Sequence, residues 1–146
     1  MRQYVFIGLI TVLTTLLATA SANDTLLVTD IWSRATPPLA EVGAAYLTVK
    51  NRGSTPDRLI GIDTPVAQHA EIHTHIMQEG MMMMRQLEAI DLPAGGSIVF
   101  KPGGNHIMLM GLGQALQEGE SFPLTLKFEH SGRIELIVEV RALGSL

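Results

Sequence analysis

The sequence predicts an all-β domain, either a sandwich or a barrel, on three observations. Short runs of aliphatic and β-branched residues recur at intervals of roughly 8–12 residues. Clusters of Gly, Pro, Ser and Thr separate them. Two of the runs also alternate strictly between apolar and chemically distinctive side chains, and a period of two is the strand signature.

Taken in order, the first run is Thr25–Trp32, closed by Thr36-Pro37-Pro38, where proline lacks the N–H a ladder needs. Ala44–Asn51 follows and ends at Gly53-Ser54-Thr55-Pro56. Arg58–Asp63, His69–Met77 and Met81–Glu88 come next. Pro93-Ala94-Gly95-Gly96 precedes Ser97–Lys101, and Pro102-Gly103-Gly104 precedes His106–Gly111. Leu124–Glu129 and Arg133–Val140 flank the Ser131-Gly132 turn. Only Gly113–Glu118 has a helical look, and it is short. No repeat or linker interrupts the series, so a single domain over residues 23–146 is expected.

Residues 1–22 stand apart. Arg2 and the amino terminus precede an apolar run from Val5 to Leu17, and Ala20-Ser21-Ala22 reads as a small-x-small cleavage site. This is the pattern of a secretory signal peptide, and the run falls short of the roughly 20 apolar residues of a membrane span. The expectation is an exported protein with no membrane span after cleavage. Without Arg2, nine basic residues face fourteen acidic ones, a net charge of −5, and no basic cluster exists. That argues against nucleic acid as a partner. With no cysteine in the chain, disulfides, thiolate nucleophiles and Cys-ligated zinc are excluded. No serine sits in a nucleophile-elbow context, so an enzyme is not expected.

The distinctive chemistry is concentrated in "EIHTHIMQEGMMMMRQ" (71–86) and "NHIMLMG" (105–111). Seven of the eight methionines lie between residues 77 and 110. On a strand, Glu71, His73, His75 and Met77 share one face, with Ala70, Ile72 and Ile76 on the other. His106, Met108 and Met110 share a face opposite Ile107 and Leu109. Soft Cu(I) favours thioether and imidazole when thiolate is absent, and a thioether cannot be tied up as a disulfide outside the cytoplasm. A methionine cluster is equally the composition of an adaptable protein-contact surface, so a metal-free binding module with a Met-rich face is the alternative at this point.

The spacing goes further. His73, Met84, His106 and Met108 form a His-x10-Met-x21-His-x-Met array that resembles the signature of the PCuAC family of bacterial periplasmic copper chaperones. "DIWSRATPP" (30–38), "GAAYLTVKN" (43–51), "DRLIGI" (57–62), "LPAGGSIVFKPGGNHIMLMGL" (92–112) and "PLTLKFEHSG" (123–132) also resemble family blocks, in the family's order. The resemblance implies a cupredoxin-like Greek-key β-sandwich. It also implies one Cu(I) held near the surface by His73, Met84, His106 and Met108. His75 stands where many members carry methionine, so it is an alternate donor, with Met77 and Met82 behind it.

The implied partners are the copper-site subunit of cytochrome c oxidase or other oxidase assembly factors, met in the periplasm by a monomer. A copper-sequestering or resistance protein would need the same site. Asp30 and Glu71 are candidate hydrogen-bond acceptors for the imidazoles. An imidazole's ordinary pKa of about 6.5 predicts weaker binding between roughly pH 7 and pH 5, as protons compete with the ion.

Overall fold

The structure, a computed structural model, describes residues 25–144. The expected leader at 1–22 lies outside the described residues. Ten strands make up the fold: β1 (Leu26–Arg34), β2 (Val42–Asn51), β3 (Asp57–Asp63), β4 (Ala67–Gln78), β5 (Met81–Leu87), β6 (Ile90–Leu92), β7 (Ser97–Phe100), β8 (His106–Leu112), β9 (Ser121–Phe128) and β10 (Gly132–Arg141). Among the described residues there is no helix. Gly113–Glu118, the one stretch with helical composition, forms bends and turns instead. The expected all-β class is therefore observed.

The strands run in the order β5-β4-β8-β2-β1-β10-β9-β3-β6, with β7 beside β2. A further pairing, Ile62↔Ala70 between β3 and β4, closes the path on itself. The result is a flattened sandwich sealed along one side, which leaves few open edges. All the pairings are antiparallel except β1 with β10. β8 slots between β4 and β2, and this non-local insertion brings the histidines of residues 73–75 beside His106.

Alternation builds the core. Ala45, Leu47 and Val49 of β2, Ile107 and Leu109 of β8, and Leu124 and Leu126 of β9 are fully buried together. Ile72 of β4 joins them. Because successive side chains point to opposite faces, burying Ile72, Ile107 and Leu109 drives His73, His106 and Met108 onto the outer face. Trp32 and Tyr46, Cα partners across β1–β2, are buried against one another with ring centroids 4.6 Å apart. Arg141 lies over the Trp32 ring.

The boundaries move by one to three residues from those expected, as strand ends do. Two differences have clear causes. β6 is three residues long, too short to show a period. β9 starts at Ser121 and includes Pro123. That proline lies beyond the stretch of β9 paired with β3, where a missing N–H is tolerated.

Candidate metal centre

Glu79 and Gly80 carry φ of 51° and 80°, the left-handed pair that a type I′ two-residue hairpin turn requires. This turn sets the register of β4 against β5: Gln78↔Met81, Met77↔Met82, His75↔Met84 and His73↔Gln86. On the other side, β4 meets β8 with His73↔His106, Glu71↔Met108 and His69↔Met110. Cα partners in an antiparallel pair present their side chains on the same face. Met82, Met84, Met77, His75, His73, Glu71, His106 and Met108 therefore all stand on one outer face, spread over three adjacent strands.

The centre of this patch is the His73–His106 rung. The two ring centroids are 5.9 Å apart, and that of His75 is 5.3 Å from that of His106. Met84 lies one rung away on one side and Met108 one rung away on the other. A rung repeats every two residues, about 7 Å along the strand. An unbranched methionine side chain with three rotatable bonds can lean over one such step. All four residues of the spaced array thus stand on one face, within a single rung of the His73–His106 pair.

Burial is graded across the patch. His106 is 6% exposed and Met108 half-buried, whereas Met84 on the edge strand β5 is 51% exposed. Met77 and Met82, facing each other near the hairpin end, are more open still. The site has a fixed inner wall and an accessible outer rim.

Two hydrogen bonds orient the imidazoles. His106 Nδ1 lies 3.0 Å from the Gly104 carbonyl oxygen. His73 Nε2 lies 2.9 Å from Glu71 Oε2, while His73 Nδ1 is buried without a partner. A buried polar nitrogen with no partner is costly, and here it belongs to a side chain in the centre of the patch. Among the described residues no three His, Asp or Glu side chains gather as a metal-binding group.

Of the two candidate acceptors, Glu71 reaches an imidazole and Asp30 does not. Asp30 is exposed in the irregular stretch of β1 and accepts from the Thr29 hydroxyl. His69 and His130 are exposed and lie outside the cluster. Arg85 pairs with Thr74 on the opposite face. The Gly104 carbonyl was not legible in the sequence, since a backbone acceptor carries no residue signature. The His75↔Met84 pairing follows from the two-residue turn at Glu79-Gly80.

The chain belongs to the LpqE-like lipoprotein family, which it matches over residues 26–140, a family of the PCuAC type. It is 32% identical over 99 residues to the lipoprotein Lxx21020 of Leifsonia xyli subsp. xyli. It is 31% identical over 87 residues to protein RP573 of Rickettsia prowazekii. These matches span 60% and 48% of the relatives' lengths. Among solved structures, the copper-bound PCuAC domain from PmoF2 superposes with a TM-score of 0.69 at 25% identity, covering 81% of this chain and 93% of that domain. Copper(I)-bound DR1885 of Deinococcus radiodurans gives 0.58 at 30% identity, covering 83% of each chain. Its apo form gives 0.64 at 27% identity, covering 97% of this chain and 94% of that one. The fold is the cupredoxin-like fold of the PCuAC domains.

Proposed function

We propose that this chain is an exported copper chaperone. In this reading it carries one Cu(I) on His73, Met84, His106 and Met108 and gives it up by ligand exchange to the copper centres of cytochrome c oxidase during assembly. The observation that carries the proposal is the placement of two thioethers one rung either side of a histidine pair, on an exposed sheet face. The copper-bound PmoF2 domain and copper(I)-bound DR1885 lend weight to copper as the cargo. The lipoprotein name of the Leifsonia relative and the signal-like residues 1–22 favour the periplasm, where a monomer would meet its acceptor.

The donor set suits a carrier. Imidazole and thioether are neutral, so Cu(I) keeps its single charge and is held less firmly than by thiolates. His106, buried and anchored to Gly104, forms the fixed wall. Met84, half-exposed on an edge strand, is the ligand an acceptor can displace first. An acceptor offering cysteines or three histidines can then draw the ion off stepwise, with no free ion between. His75, across from Met84 and close to His106, is placed to hold the ion while Met84 leaves. Met81 and Met83 point away from the histidines and give the same hairpin an apolar surface for the acceptor to rest on.

The test is anaerobic competition for Cu(I) against a chromophoric chelator. The purified protein should take one equivalent tightly, and Met84→Ala with His106→Ala should abolish it. If neither protein competes for Cu(I), the methionine face is a protein-contact surface instead. To separate delivery from storage, loaded protein is mixed with the apo copper domain of an oxidase subunit. Transfer faster than spontaneous dissociation supports delivery, and retention supports sequestration.

A further inference from the structure

Glu71 is two residues from His73 on β4, so the two side chains share a face. Both are largely shielded, with side chains 26% and 14% exposed. An ionised carboxylate only accepts hydrogen bonds, so the 2.9 Å contact to His73 Nε2 places the imidazole proton on that nitrogen. The lone pair is then on Nδ1, the atom that is buried without a partner. At His106 the logic runs the other way round the ring. A carbonyl only accepts, so the 3.0 Å contact from Nδ1 to Gly104 oxygen places the proton on Nδ1 and leaves the lone pair on Nε2.

Building on the copper reading above, we propose that Glu71 is a positioning residue that locks His73 in its Nε2–H form, so that the ion is taken by Nδ1 of His73 and Nε2 of His106. The two rings are held by different means. His106 is tied to the backbone, which no side-chain substitution removes. His73 depends on one carboxylate. Glu71 is also the Cα partner of Met108, so its negative charge stands one rung from the histidine pair, on the side of the inner thioether. It acts twice: it orders the imidazole and makes it a stronger donor, as outer hydrogen-bond partners of metal-bound histidines do, and it adds an attractive charge to an otherwise neutral donor set.

The experiment reads the rings first without metal. Long-range ¹H–¹⁵N spectra of the metal-free protein at neutral pH should show His73 protonated at Nε2 and His106 at Nδ1. Glu71→Leu should let His73 populate both forms, while Glu71→Gln, whose amide oxygen can still accept, should keep the Nε2–H form. His106 should be unmoved in both. Adding Cu(I), which is diamagnetic, should shift Nδ1 of His73 and Nε2 of His106. Affinity should fall about 10–100-fold in Glu71→Leu and by less in Glu71→Gln.

An Nδ1–H form of His73 in the wild type would overturn the proposal. So would a Leu variant with unchanged tautomer and affinity, or Cu(I) shifts at the opposite nitrogens. A wild type with the expected tautomers that ignores Cu(I) overturns the copper reading instead, and with it the affinity role of Glu71.

Discussion

His73 and His106 occupy the same rung of the β4–β8 ladder, with their ring centroids 5.9 Å apart. The neighbouring His75 has its centroid closer to His106, at 5.3 Å, yet sits one rung nearer the hairpin end. That difference decides which histidine is central. Only from the His73 rung are Met84 and Met108 both a single step away. From the His75 rung, Met108 is two steps off.

The first prediction follows from this asymmetry. His73→Ala should weaken Cu(I) binding by more than the roughly 100-fold that marks the loss of an outer-sphere partner. His75→Ala should cost no more than about tenfold, or 1.4 kcal/mol. Chelator competition on each variant measures both. The opposite ranking would make His75 the ligand and shift the site toward the hairpin.

The run Met81–Met84 offers a second test, because alternation divides it between two faces. Met84 and Met82 stand with the histidines, and Met81 and Met83 stand against solvent on the far side. Met83→Leu should leave Cu(I) affinity unchanged, whereas Met84→Leu should lower it at least tenfold. Both residues are exposed, so unfolding free energies should stay within about 0.5 kcal/mol of wild type. Equal losses in the two variants would mean that the run binds copper as a flexible cluster, without strand geometry.

The strand period was visible in the sequence because Ile72, Ile107 and Leu109 had to be buried, which turned His73, His106 and Met108 outward. The His-x10-Met-x21-His-x-Met spacing was visible too. What brings the array together was not, because β8 enters between β4 and β2 through pairings that no local pattern encodes. Which of His73 and His75 stands between the Met84 and Met108 rungs likewise needed two registers at once. The β4–β5 register follows from the Glu79-Gly80 turn, but the β4–β8 register depends on tertiary packing. Asp57, an unremarkable residue beside the Thr55-Pro56 turn in the sequence, illustrates the same limit.

Asp57 is buried at the start of β3. Burial alone would raise its pKa. The Ser131 hydroxyl and the amides of His130, Arg58 and Ser131 all donate to its carboxylate, outweigh that effect and hold the pKa below its ordinary value. A carboxyl with a lowered folded pKa contributes stability that is present above its unfolded pKa, about 3.9. That contribution is lost as pH falls through the folded value. Asp57→Asn should therefore destabilise the protein by about 1–3 kcal/mol near neutrality, from poorly satisfied buried donors. The gap to wild type should narrow below about pH 4. Urea midpoints at pH 6.5 and pH 3 measure both parts. A gap independent of pH would mean the carboxylate charge contributes nothing to the turn.

Gly111 tests whether the geometry of β8 is as constrained as the site demands. Its φ of +68° lies in the left-handed region, which a side chain makes costly by about 1–2 kcal/mol. An added Cβ would also come within 2.9 Å of three atoms of the Gln68 side chain on β4. Gly111 follows Met110 directly, near the end of the strand that carries His106 and Met108. Gly111→Ala should lower the unfolding free energy by about 1–3 kcal/mol and loosen the β4–β8 pairing at its Ala67↔Leu112 end. The His73–His106 rung lies at the other end of the same ladder, six residues along β4, so Cu(I) affinity should change by less than about threefold. Chemical denaturation together with chelator competition separates the two effects. A large loss of affinity at unchanged stability would show that the far end of β8 sets the donor geometry, and that the site is less local than its rungs suggest.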